Sequence, residues 1–217
     1  MLQISQNQKI NVEALKLQLL RGKTTRGRFN LPYTYEQVYD MLNASVQAEV
    51  AWREREYQDS PEMQAYICEV ARWMQESKTF GLLMCGVPGN GKTTIMKAMQ
   101  SLLNYIGSDN ALKIMSAKDI VRLNKCNYEQ YERVCRAPFL GIDDLGTEPA
   151  EVMDYGNVLN PVVDLLLYRY QEQLVTVVTT NLKPNELRDK YQDRIADRFN
   201  EMMSKIIFKD RTYRKTN

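Results

Sequence analysis

The chain has 217 residues, 44% of them hydrophobic and 26% charged, with a formal net charge of +2, the proportions of a folded globular protein and not of a disordered one. That length supports one good core with a short appendage. No run of about eighteen apolar residues exists, which excludes a membrane-spanning helix, and the amino terminus lacks the apolar stretch of a secretory leader. The absence of histidine removes Ser-His and Cys-His nucleophile chemistry. Cys68, Cys85, Cys126 and Cys135 have no CxxC spacing, which favours reduced, buried thiols in a cytoplasmic protein over a zinc site.

Residues 1–30 carry Lys9, Lys16, Arg21, Lys23, Arg26 and Arg28 against the single acid Glu13, and the last thirty residues are also rich in lysine and arginine. Basic ends on a near-neutral chain suit a polyanion or an acidic partner protein; solvated tails have the same composition. A weak helical stripe (Val12, Leu15, Leu19) gives way to the turn-like RGKTTRGRFN. Beyond Pro32, the spacing of Val38, Met41, Leu42, Val46, Val50 and Trp52 predicts a helix over 35–57. Ser60 as N-cap and Pro61 at the first helical position open the next helix, to about Ser77. It sets Met63, Ile67, Val70, Ala71 and Met74 on one side.

From residue 79 short apolar runs alternate with amphipathic stretches, the runs covering 80–85, 113–116, 139–143, 174–179 and 206–208. This is the rhythm of βαβ units. Continuous apolar character in FLGID and LVTVVT predicts strands covered on both faces, hence a largely parallel sheet. The expected fold is α/β and three-layered, with ligands beyond the carboxyl ends of the strands.

Gly86, Val87, Pro88, Gly89, Asn90, Gly91, Lys92 and Thr93 match G-x-x-x-x-G-K-[ST] in full, between the strand GLLMC and a helix that Thr94 continues. That strand–loop–helix context is what a P-loop requires. Its glycines let successive N–H groups face one anion, and the helix N-terminus adds positive potential. Lys92 is expected to reach the β- and γ-phosphates of ATP, and the Thr93 hydroxyl to ligate Mg²⁺.

Phe139–Asp144 is an apolar strand ending in two carboxylates. Beside the P-loop strand, Asp143 would hold Mg²⁺ through water and Asp144 could polarise the attacking water; alone, such a pair is as well a turn or a helix cap. A second buried strand ends in Asn181, which could bond the γ-phosphate or the water, or cap the turn before Pro184. Arg194 and Arg198, at i and i+4, share a helix face and repel unless an anion meets them. Asp197 and Glu201 offer an ion-paired, solvated alternative.

In this order, GVPGNGKTT, FLGIDDLGTEP, VTTNL, RIADRF and the terminal TYRK resemble the AAA+ helicase-loader family of DnaC and the related transposition helper IstB, over about residues 60–217. The resemblance implies a P-loop NTPase with an AAA+ core over 59–217, a helical partner-binding segment over 1–58, and no C-terminal lid. It makes Asn181 sensor 1, Arg194 or Arg198 an arginine finger acting on a neighbouring subunit's ATP, and Arg214 sensor 2. A finger in trans implies a homo-oligomer. At Asp144 the general AAA+ pattern has glutamate, and the shorter side chain points to slow hydrolysis. The family's single-stranded DNA path falls here on 117–134, with Lys118, Arg122 and Lys125 for phosphates and Tyr128 and Tyr131 for stacking; an amphipathic helix with solvated lysines has the same pattern. The expected function is an ATPase that loads a replicative helicase onto DNA. The alternatives are a helper that recruits a transposase and a nucleotide-dependent scaffold with negligible turnover.

Overall fold

A computed structural model of the protein describes residues 11–21, 28–107, 111–149, 152–154 and 157–209, with backbone alone at 152–154, 157–159 and 192–194. Strand β1 (Gly81–Gly86) shows why the sheet forms where it does. Leu82 and Met84 face one apolar cluster, Leu83 and Cys85 the other, and all four are buried. A strand apolar on both sides must lie inside a sheet covered on both faces.

Five parallel strands do this, in the order β2 (Lys113–Ser116), β3 (Phe139–Leu145), β6 (Val175–Thr180), β1 and β7 (Met203–Phe208). On one face pack α2 (Tyr35–Ala51), α3 (Pro61–Gln75) and α4 (Lys92–Tyr105). On the other pack α5 (Ala117–Cys126), α6 (Tyr128–Cys135), α7 (Pro161–Gln171) and α8 (Pro184–Met202). This is the expected three-layer α/β arrangement. The five apolar runs all fall on these strands, β7 beginning earlier than expected. A two-stranded antiparallel ribbon, β4 (Val152–Asp154) with β5 (Asn157–Leu159), was not foreseen. Among the described residues no helix is long and apolar enough to cross a membrane.

Helix α1 (Val12–Arg21) leaves Val12 and Leu19 exposed. From Phe29 the chain enters the core: Phe29 stacks on Trp73 at 5.7 Å and meets Phe139 at 4.8 Å. Val38, Leu42 and Val46 of α2 join the same cluster, so apolar packing runs continuously across the expected boundary at residue 58. Thr34 caps α2 with a capping box completed by Gln37. The helix ends at Ala51, short of the expected Tyr57, because Glu54 adopts a left-handed φ of 55°. Its N–H bonds Ala51 O at 2.8 Å while Arg55 N–H bonds Val50 O at 3.3 Å, the closure of a Schellman turn. Trp52, expected on the apolar face, therefore lies beyond the helix and is 78% exposed. Ser60 does cap α3, accepting from Met63 N–H at 3.1 Å.

Arg169 in α7 is fully buried. Its guanidinium donates to Thr176 Oγ1 (2.8 Å), Cys135 O (3.0 Å), Ala137 O (2.8 Å) and Val175 O (2.5 Å), tying α7 to β6 and to the turn before β3. Arg169→Ala strands all four acceptors and is expected to cost roughly 3–5 kcal/mol in urea unfolding. A loss below about 1 kcal/mol would mean that the guanidinium clamps nothing.

Candidate nucleotide site

The loop between β1 and α4 is shaped by glycines at close approaches. A Cβ on Gly86 would lie 2.5 Å from Asn90 Nδ2 and 2.7 Å from Phe208 Cβ, and one on Gly91 2.9 Å from Met63 Cε. Gly91 also has φ 96° as the N-cap of α4, where no side chain supplies a cap. The first turn of α4 therefore offers its N–H groups, with the positive end of the helix dipole, to an anion. Lys92 is buried, its ammonium donating to Gly86 O (2.7 Å), Val87 O (2.9 Å) and Asn90 Oδ1 (2.8 Å). Asn90 in turn donates to Phe208 O at 3.4 Å, fastening the loop to β7.

Opposite this loop stand the carboxyl ends of β3 and β6. Asp143 Oδ1 accepts from Thr93 Oγ1 at 2.8 Å and from Thr179 Oγ1 at 2.6 Å. Thr179 Oγ1 also accepts from Asp144 N–H at 2.9 Å, so one hydroxyl addresses both acidic residues. Asn181 Nδ2 donates to Asp144 Oδ1 at 3.4 Å. Asp144 has a φ of 54° at the point where the β3–β6 register shifts between Ile142 and Leu145. A non-glycine residue in this region is uncommon and clusters at functional sites.

Pro88 to Thr94, Asp143, Asp144 and Asn181 line one cavity of about 760 Å³, within the usual size of a small-molecule site. Sequence reasoning missed its other wall, formed by Tyr57, Gln58, Arg53 and Arg55 from the segment after α2 and by Lys97 of α4. No motif marks those residues; the left-handed turn at Glu54 redirects the chain that carries Arg55, Tyr57 and Gln58. It also missed Thr179, whose signal was a polar residue at the end of a buried strand.

Arg198 lies elsewhere: it stacks on Tyr170 at 4.2 Å and pairs with Glu201 at 4.0 Å. Tyr170 meets Phe80 at 6.2 Å, at the amino end of β1, so Arg198 is far from the P-loop of its own chain. The Arg194 side chain and all of Arg214 fall outside the described residues. The 117–134 segment forms two helices, α5 and α6. Lys118, Arg122 and Lys125 are exposed, as is Tyr128. Tyr131, expected to stack on bases, is instead buried with its hydroxyl on Pro161 O at 2.7 Å, because the apolar side of α6 turns it inward. Burial pushes the Cys85 thiol up to about 11, against the downward pull of Lys205 and Lys92.

A family model for the ChlI subunit of magnesium chelatase matches residues 71–146, the stretch from α3 through the P-loop to just beyond Asp144. No curated protein matches the sequence. Among solved structures, the chain is similar to the DnaC helicase loader, at a TM-score of 0.58 and 20% identity, over 70% of this chain and 93% of that one. It is similar to DnaI at a TM-score of 0.57 and 23% identity, over 81% and 93%. A third is AMPPCP-bound DnaA from Aquifex aeolicus, at 0.52 and 17%, over 69% and 48%. The shared feature is the fold: this chain has the P-loop AAA+ fold.

Thr179→Val keeps the shape but leaves Asp144 N–H without this partner, and is expected to cost about 1–3 kcal/mol in chemical unfolding. At pH 8 a thiol reagent is expected to label exposed Cys126 and leave Cys85 unmodified, since the thiolate is the reactive form. Equal labelling of the two would contradict this packing.

Proposed function

We propose that the chain is an ATP-binding and ATP-hydrolysing switch that loads a replicative helicase onto DNA in the cytoplasm. One observation carries the ATPase part: Lys92, Thr93, Asp143, Asp144 and Asn181 converge in a single cavity at the carboxyl ends of β1, β3 and β6.

The P-loop N–H groups would take the β-phosphate, and Lys92 would exchange its carbonyl partners for β- and γ-phosphate oxygens. The donor set fits a divalent metal. Thr93 Oγ1 and the Asp143 carboxylate stand 2.8 Å apart and are the hard oxygens that Mg²⁺ prefers with its own waters. Mg²⁺ held there would supply charge neutralisation as the β–γ bond breaks. Asp144 would orient the attacking water and accept its proton, with Asn181 fixing the carboxylate. The left-handed backbone at Asp144 favours a positioned base over a scaffold without turnover, because strain of about 1–3 kcal/mol persists only where the surroundings over-determine it.

Arg198 lies too far from its own P-loop to serve it, which supports a role, alone or with Arg194, at a neighbouring subunit's γ-phosphate. The active form would then be a homo-oligomer, with Arg214 as a further phosphate contact. Lys118, Arg122 and Lys125 with exposed Tyr128 would meet single-stranded DNA along α5. Residues 1–58, including the exposed apolar side of α1, would engage the protein partner. The fold is similar to that of the DnaC helicase loader; capture of a replicative helicase, as against a transposase, separates this reading from a transposition helper.

The test is ATP hydrolysis by the full chain and by Asp144→Asn, with and without single-stranded DNA. DNA is expected to raise wild-type turnover, and the variant to lose about 100-fold while still binding nucleotide. Binding without turnover in every condition would overturn the ATPase reading.

A further inference from the structure

The turn that follows Asp144 is gripped from the far side by α8. Gly146 N–H donates to Glu148 Oε2 at 2.9 Å, and Tyr191 OH donates to Glu148 Oε1. Lys190 Nζ donates to Gly146 O and Glu148 O, each at 2.6 Å. The same ammonium lies 3.8 Å from the Glu148 carboxylate. Glu148 and Tyr191 are buried. Within the turn, Asp144 O accepts from Thr147 N–H at 3.2 Å and Thr147 Oγ1 at 2.8 Å. Gly146 has φ 102°, and a Cβ there would lie 2.5 Å from Leu182 Cδ1. Of the three residues between Asp144 and Glu148, Thr147 bonds back to Asp144 through its side chain, and Gly146 has no room for one.

A buried carboxylate is a poor way to gain stability, since well-packed apolar groups hold such a junction as firmly. Its advantage is direction: the carboxylate takes directed hydrogen bonds from Gly146 and Tyr191, Lys190 holds two carbonyls of the same turn, and Asp144 is the turn's first residue. We propose that Glu148, Lys190 and Tyr191 form a positioning latch through which α8 sets the orientation of Asp144 for hydrolysis. The inference rests on the ATPase reading. Tyr191, Ile195 and Arg198 follow one another at i+4 and i+3 along one face of α8. The helix that carries Arg198 therefore also holds the base, and a shift of α8 on contact with a neighbour would reach Asp144 through the latch.

The experiment uses the full chain and its Tyr191→Phe, Glu148→Gln and Lys190→Arg variants. Tyr191→Phe keeps the buried ring and removes one hydroxyl, so it tests the latch even where Glu148→Gln fails to fold. Affinity for a non-hydrolysable Mg-ATP analogue is measured beside single-turnover hydrolysis. Affinity is expected to stay within about twofold of wild type, while hydrolysis falls about tenfold in Tyr191→Phe and about 100-fold in Glu148→Gln. Lys190→Arg is expected to keep most of the rate. A folded Tyr191→Phe that hydrolyses at the wild-type rate, or a parallel fall of affinity and rate, overturns the latch and leaves the ATPase reading standing. A wild type without turnover overturns both.

Discussion

The site depends on one carboxylate oxygen. Asp143 Oδ1 accepts from Thr93 at the start of α4 and from Thr179 on β6, so a single acceptor joins the P-loop helix to the two strands beside it. The contact needs β6 between β3 and β1, with the carboxyl ends level, and the parallel register provides both: Leu83 pairs with Val178, and Ile142 pairs with the same residue from the other side. Hydrogen bonds to a charged oxygen are the strong kind.

Beyond that oxygen, chain direction changes sharply in several places, and each is secured locally. Asn90 bonds Phe208 O, Thr180 Oγ1 bonds Leu145 O at 2.7 Å, and Thr179 takes the N–H of Asp144. Polar strand ends thus serve as anchors for the loops of their neighbours. Arg169 does the same work at the opposite end of the sheet, fastening α7 to β6 beneath the apolar layer. Both faces of the central strands β1, β3 and β6 are closed by helices, and the loops above are held by hydrogen bonds whose loss leaves buried groups unpaired.

Charges of both signs line the cavity: Lys92, Lys97, Arg53 and Arg55 together with Glu56, Asp143 and Asp144. That mixture suits a polyanion bound together with a hydrated cation. Helix α8 lies outside that cavity yet touches its chemistry at Lys190 and Tyr191, while its far end carries Arg198 on the ring of Tyr170.

Local pattern determined much of this protein. The glycines and Lys92 of the P-loop, the acids closing FLGIDD, the Ser60–Pro61 helix start and the five apolar strands were all legible, because each is a short-range requirement of backbone geometry or burial. Order in the sheet and everything that depends on it were decided by tertiary structure. Nothing local says that Thr179 sits between Asp143 and Asp144, that Tyr131 turns inward to Pro161, or that the segment after Glu54 forms a cavity wall. Nor does it say that Glu148 meets Tyr191, forty-three residues on. Those pairings join residues far apart in the chain, and a spacing rule covers only neighbours within a turn or a strand. What brings distant residues together is the closing of two apolar layers on one parallel sheet, and that is a property of the whole fold.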